Sequence, residues 1–314
     1  QIGIHVSDGT HLLPLYSLVS GKNCEIAQQR RLIYRANGLV DRLEILDRGF
    51  APIGAAMALN PPIPGADRMN LEREVNRIAV VDSGVNYQLP HIAHVIAHND
   101  NKALGYDYWD LDPFPFDSDT SGSPFYPRHS GTKVASVLAL EFPGVSLIPY
   151  RFPYPDVRRM VDLMRDAHRA KARIILISFD GRGRGDWRPF KRAAAKHDDI
   201  LLVVSAGSGG RDLDRDPLFP ASLNLANAVV VTGMTTAGEV LSGANWGEAT
   251  VDIGVAADQV GAIAFDGNLS SASGSGVAAA RIAAFAARLL MDNRDWDTQR
   301  VRTEIIGRAS HSDS

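Results

Sequence analysis

Short apolar runs recur along the later three quarters of the chain at 77–82, 146–150, 173–178, 200–205, 228–232 and 250–254. They are continuously apolar rather than alternating, the pattern of strands covered on both faces. Between and after them, mixed apolar and polar segments at 130–140, 156–170, 187–196, 275–291 and 298–307 carry helical spacing. Strands alternating with helices predict a mostly parallel central sheet with right-handed crossovers and helices on both faces, a three-layer α/β architecture. Ligands of such sheets sit beyond the carboxyl ends of strands, and Asp82 lies at one such end.

Residues 1–75 read differently and form an N-terminal extension to a main domain at 76–314. Glu25 to Asn37 predicts a helix, with Ile26, Leu32 and Ile33 apolar and Gly38 as its stop. The run Asn60-Pro61-Pro62-Ile63-Pro64-Gly65 predicts a turn-rich linker. The chain shows no internal repeat and no low-complexity tract.

Composition narrows the picture without deciding it. Hydrophobic residues make up 45% and charged residues 22% of 314, enough for a sizeable core. A formal net charge of −3 gives no general attraction to nucleic acid or to an anionic membrane surface. No apolar run reaches membrane-spanning length. The chain starts at Gln1 without a signal-peptide pattern, which reads as a processed or trimmed chain. Cys24 is the single cysteine, so an internal disulfide is excluded.

Three segments carry candidate chemistry. Ile78-Ala79-Val80-Val81-Asp82-Ser83-Gly84-Val85 is a buried strand ending in an acid and a tight turn. Ser130-Gly131-Thr132-Lys133-Val134-Ala135-Ser136 and Ser273-Gly274-Ser275-Gly276-Val277-Ala278-Ala279-Ala280 each open an apolar helix with small residues. In these segments, and in others between them, the chain resembles the subtilase family of serine proteases over about residues 76–308. Ile177-Ser178-Phe179 is similar to the strand that binds substrate backbone. Val204-Ser205-Ala206-Gly207-Ser208-Gly209 is similar to the motif that supplies the oxyanion-hole Asn. Phe219-Pro220-Ala221-Ser222, Ser242 to Gly247 and Val251-Asp252-Ile253 follow in the family's order.

The resemblance implies a subtilisin-like fold and a catalytic triad in the order Asp, His, Ser. Of that triad only Asp82 is kept. The His position reads Ser130, the nucleophile position Gly276, the oxyanion Asn position Ser208, and the following Pro reads Ala280. The glycine after the substrate-binding Ser178 and Phe179 reads Asp180. A serine hydroxyl is a poor nucleophile until an imidazole takes its proton, and the acid holds that imidazole in the right tautomer. In subtilisin, losing the oxyanion amide costs about 10²–10³ in turnover, and losing triad members about 10⁴–10⁶. A chain lacking nucleophile, base and oxyanion donor is expected not to turn over by this route. His129 and Ser275 each stand one residue before the vacated positions, which leaves a shifted triad of Asp82, His129 and Ser275 as an alternative. A silenced form of an active protease is a second.

Two further clusters invite a metal. His91, His94 and His98 share one face if they lie on a single helix, with Asp100 close behind. Asp110, Asp112, Asp117 and Asp119 form an acidic loop before Gly122. Calcium is common in subtilase loops, so the resemblance admits calcium here although no cofactor is required. Solvated histidines and a solvent-facing acidic loop are the plainer readings of both. Arg182, Arg184, Arg188, Lys191 and Arg192 form a basic run that reads as a solvated face or as attraction for an acidic partner.

The expected protein is thus a peptidase homologue that acts by peptide or protein binding, as regulator or assembly subunit. Residues 1–75 would lie over the domain as protease pro-segments do. The family resemblance favours a periplasmic or extracellular location.

Overall fold

The computed structural model describes residues 2–7, 12–23, 25–64, 77–100 and 102–309. Gln1, Cys24, Gly65 and the boundary expected at residue 75 lie outside the described residues. In chain order the elements are β1 (Ile2–Ser7), β2 (Leu12–Ser20), β3 (Ile26–Tyr34), β4 (Val40–Leu46), β5 (Met57–Ala58), β6 (Arg77–Asp82), α1 (Pro90–Ala93), β7 (His98–Asn99), β8 (Lys102–Ala103), β9 (Tyr106–Asp107), α2 (Gly131–Glu141) and β10 (Ser146–Arg151). They continue as α3 (Met160–Arg169), β11 (Ile174–Ile177), α4 (Arg184–Lys196), β12 (Leu201–Ser205), β13 (Ala228–Met234), β14 (Ile253–Ala256), β15 (Val260–Ile263), β16 (Leu269–Ala272), α5 (Ser275–Asp292) and α6 (Thr298–Ala309).

The main sheet has seven strands in the order β14-β13-β12-β11-β6-β10-β9. Every neighbouring pair is parallel. Within each continuous apolar run, successive side chains go to opposite faces. Ile78, Val80, Ile174, Leu176, Leu201 and Val203 join a core with α2, α5 and α6. Ala79, Val81, Ile175, Ile177, Leu202 and Val204 join a second core with α3 and α4. This double burial is why the runs show no alternation, and it gives the three-layer α/β fold expected from them.

From β6 the chain first adds β10 on one side and later β11 on the other. That reversal of winding direction opens a crevice beyond the carboxyl ends of β10, β6 and β11. Asp82 ends β6 and Ser178 directly follows β11, so both project there.

The N-terminal residues correct one expectation. Glu25 to Asn37 is not a helix: Ile26–Tyr34 is β3, in a five-stranded antiparallel sheet of order β1-β2-β3-β4-β5. Asn37-Gly38, read as a helix stop, is the turn of a hairpin. Gly38 takes φ 81°, and the Arg35 amide donates to the Leu39 carbonyl at 2.8 Å. The polar stretch Gln28 to Arg31 suits a strand because its side chains find cross-strand partners, as in Arg31 with Glu44 at 2.9 Å.

This sheet is tied to the main domain. Leu32, Leu43 and Leu59 form a small buried cluster with Phe125, from the loop that precedes α2. Arg30 donates to the Phe125 carbonyl at 2.7 Å, and its guanidinium lies 4.2 Å over the Tyr126 ring. The predicted linker is seated as well: Tyr87 donates to the Pro61 carbonyl at 2.6 Å and Gln88 to that of Pro62 at 2.9 Å.

Candidate functional site

Two glycines bring the end of β6 against the start of α2. Gly84 turns the chain with φ 98°, a conformation that residues with a Cβ rarely adopt. At Gly131 a Cβ would stand 1.9 Å from the Gly84 carbonyl oxygen, so only glycine permits the contact. Ser130 is thereby laid beside Asp82.

Asp82 is buried, and both its oxygens are occupied. Oδ1 accepts from the Ser83 amide at 2.6 Å and from the Ser130 hydroxyl at 2.5 Å; Oδ2 accepts from the Ser178 hydroxyl. A second buried carboxylate, Asp117, stands behind it. Its Oδ1 accepts from Ser83 Oγ at 2.5 Å, and its Oδ2 from the Thr132 amide at 2.8 Å and hydroxyl at 2.5 Å. Ser83 Oγ has one proton to give. Its 2.5 Å contact with Asp117 outcompetes the 3.2 Å contact with Asp82. The same oxygen accepts from the amides of Gly131 at 3.0 Å and Ser130 at 3.2 Å. Ser83 and Asp117 therefore cap α2, leaving the Ser130 side chain free to serve Asp82. Burial pushes the Asp82 carboxyl up to about 6, against its hydrogen bonds and helped by the charge on Asp117. Burial likewise pushes Asp117 up to about 6.

Asp82, His129, Ser130, Ser178 and Gly276 line one cavity of about 340 Å³. The structure thus brings Asp82 together with Ser130 and Gly276, as expected from the order of the segments. A Cβ on Gly276 would meet Ser178 Cβ at 3.4 Å and Val134 Cγ2 at 3.6 Å, both ordinary contacts.

His129 and Ser275 each have partners other than Asp82. His129 Nδ1 donates to the Asp117 carbonyl oxygen at 2.7 Å, and its ring stacks on Phe265 at 3.7 Å. Burial holds its pKa below the usual imidazole value. Ser275 is buried toward β13, where its Oγ accepts from the Gly233 amide at 3.3 Å and lies 3.4 Å from Thr232 Oγ1. A one-residue step on a helix turns a side chain by about 100°, which is why Ser275 faces the sheet and Gly276 the cavity. Ser208 is exposed after β12 and bridges to Ala244; it lines neither this cavity nor the groove beside it. Ala280 is fully buried in α5.

Asp82, Ser130 and Ser178 also line a groove of about 600 Å³ with Phe152–Pro155 and Phe179–Arg182. Phe152 stacks on Phe179 at 5.0 Å, and Tyr154 meets Trp109 at 4.7 Å with the rings tilted, so Phe152, Phe179 and Tyr154 give the groove an aromatic wall. The Asp180 carboxylate fills the space over Gly207, where a Cβ would meet Asp180 Oδ2 at 2.4 Å. Partial burial raises its pKa, while the charges of Arg211 and Arg182 oppose the rise.

The histidine face expected at 91, 94 and 98 does not form. α1 ends at Ala93, and His98 sits on β7 with Nδ1 toward the Ile96 carbonyl at 2.8 Å, so the helical spacing that would align the three is broken. The carboxylates of the acidic loop have protein partners. Asp110 pairs with Arg151 and Asp119 with Arg128, each at 2.6 Å; Asp112 takes the Asn60 amide, and Asp117 is spent on Ser83 and Thr132. Of the basic run, Arg182 reaches Asp216 at 3.4 Å and Lys191 the Leu223 carbonyl at 2.7 Å; Arg184, Arg188 and Arg192 face solvent. No described helix is long and apolar enough to cross a membrane. Sequence reasoning missed the bridging role of Ser83 and the Phe265 ring under His129. The only signal for the former was its place between an acid and a glycine.

Comparison with known proteins agrees with this fold. The sequence model described as the Subtilase family, peptidase S8, matches residues 76–313. A lanthipeptide protease superposes with a TM-score of 0.60 at 20% identity, covering 73% of this chain and 79% of that one. The subtilase cytotoxin SubAB gives 0.59 at 18%, with 73% and 79% covered. A cold-adapted subtilisin-like serine proteinase gives 0.54 at 18%, with 77% and 85% covered. No curated protein sequence matches the chain.

Proposed function

The chain belongs to the subtilase family, and from that premise we propose that it binds peptide or protein segments in the cleft without cutting them. The observation that carries this reading is the state of Asp82. Hydroxyls of Ser130 and Ser178 occupy both its oxygens, so the acid is satisfied with no imidazole to orient. Gly276 offers no nucleophile on the far side of the same cavity. The shifted alternative has no support from the contacts of His129 and Ser275, which serve Asp117, Phe265 and β13 instead.

The groove supports a binding role. It lies along the segment after β11, where subtilases hold substrate as an added strand, a mode that rests on main-chain hydrogen bonds. Aromatic side chains on its wall suit apolar or aromatic residues of a peptide. Asp180 closes part of the pocket over Gly207 and disfavours acidic side chains there. A protein partner fits the precedent of a subtilase cytotoxin whose structure concerns assembly. Subtilases are often secreted, and a periplasmic or extracellular site of action follows from that habit.

The test combines two assays on the intact chain. Fluorophosphonate labelling and a peptide-library digest are expected to be negative. A peptide array is expected to show binding that changes in selectivity with Asp180→Gly. Ser130→His and Gly276→Ser together are expected to give weak hydrolysis, and each alone none, because triad members act as a unit. Labelling of the unaltered chain that disappears in Ser275→Ala would overturn the proposal.

A further inference from the structure

Away from the cleft residues, two neighbouring helices, α3 and α4, end side by side. His168 lies in the last turn of α3 and His197 is the C-terminal cap of α4. Their rings are 4.4 Å apart, and His168 Nε2 is 3.6 Å from Asp199 Oδ2. One ligand atom from each of His168, His197 and Asp199 falls within 4.8 Å of the others. Among the described residues this is the one group of three or more His, Cys, Asp or Glu with that closeness.

We propose that His168, His197 and Asp199 bind a zinc ion that staples the carboxyl end of α3 to the turn between α4 and β12. The donor set is two imidazole nitrogens and one carboxylate oxygen, the three-protein-ligand pattern of open zinc sites. Tetrahedral zinc with bonds of about 2.0–2.1 Å places its ligands roughly 3.4 Å apart, close to the spacing of His168 and Asp199. The remaining closure is a side-chain movement on an accessible surface.

Three features suit this place to a cation. Both helices present their carboxyl ends, where the aligned peptide dipoles place partial negative charge. The turn that holds His197 and Asp199 is already fixed. The buried Asn227 amide donates to the carbonyls of Ile200 at 2.9 Å and of Ala194 and His197 at 3.3 Å. The third feature is access. Asp199 borders an open cavity of about 500 Å³ with Asp198 and Asp297, leaving the rest of the coordination sphere accessible to solvent.

The test uses the full chain, freed of metal by chelation and titrated with zinc chloride by calorimetry. Binding of one equivalent is expected, weakened at least tenfold by His168→Ala with His197→Ala and less by Asp199→Asn. All three substitutions are on accessible positions, and circular dichroism checks that the fold is kept. Copper(II) on the unaltered chain gives a second readout, with electron paramagnetic resonance expected to show two nitrogen ligands. Zinc affinity unchanged in the double variant, or a copper spectrum without nitrogen coordination, would overturn the site. Neither outcome bears on peptide binding in the cleft.

Discussion

Gly131 and Gly276 each stand near the start of a helix that feeds the same cavity, yet a methyl group added to them would meet very different surroundings. At Gly131 it runs into the Gly84 carbonyl at 1.9 Å. At Gly276 it touches Ser178 and Val134 at ordinary distance. The first glycine is required by the packing of α2 on β6. The second is not required by anything around it. One corner of the cavity is therefore held by backbone and by a closed hydrogen-bond network, and the other has room for a small side chain. The surroundings of the acid are specified in detail, and those of Gly276 are open.

Four experiments press on that contrast. Gly131→Ala is expected to destabilise by roughly 3 kcal/mol or more, because backbone must move to admit it; urea unfolding measures it, and a loss under 1 kcal/mol would mean that the corner is soft. The next effect is on pH. Asp82 and Asp117 are each pushed from 3.8 to about 6 in the fold. Their protons are held more tightly in the folded than in the unfolded chain. The stability they add is full below about pH 4 and is lost as pH rises through about 6. Asp117→Asn is expected to flatten the fall in stability between pH 4 and 7 by roughly 1–3 kcal/mol. Parallel curves for parent and variant would remove Asp117 from the account. Ser130→Ala takes one of two hydroxyl donors from a buried carboxylate and is expected to cost about 1–2 kcal/mol, with the loss growing above pH 6, where Asp82 is ionised. Gly276→Ser is the mildest. Replacing a helical glycine is expected to change stability by less than about 1 kcal/mol, in the stabilising direction, with no hydrolysis of peptide substrates.

The contrast also explains what could be read from sequence. The central sheet was legible because burial on both faces writes itself as unbroken apolar runs, as at Leu201–Val204. The N-terminal sheet was not. Its strand β3 carries Gln28, Gln29, Arg30 and Arg31, and its turn Asn37-Gly38 resembles a helix end when the partner strand is unknown. In the site, Asp82, Ser130 and Gly276 were legible through ordered motifs. The work of Ser83 was not, because one hydroxyl joining two acids depends on distances that no spacing encodes. His91, His94 and His98 had suggestive spacing and no helix to realise it. His168, His197 and Asp199 had no suggestive spacing and were brought together by two helix ends.

Phe125 belongs to the loop that leads into Ser130, but it is buried among Leu32 and Leu43 of the N-terminal sheet and Leu59 just after it. During synthesis those leucines leave the ribosome well before the phenylalanine does. The early sheet has neighbour-to-neighbour strand connections and can pair as it emerges. It then presents an apolar patch that waits for a residue nearly a hundred positions downstream, as the bond from Arg30 to Phe125 spans |i−j| = 95. The first part of the chain thus acts as a template on which the loop beside the cavity is laid down, and the order of translation supplies the template before the piece it shapes.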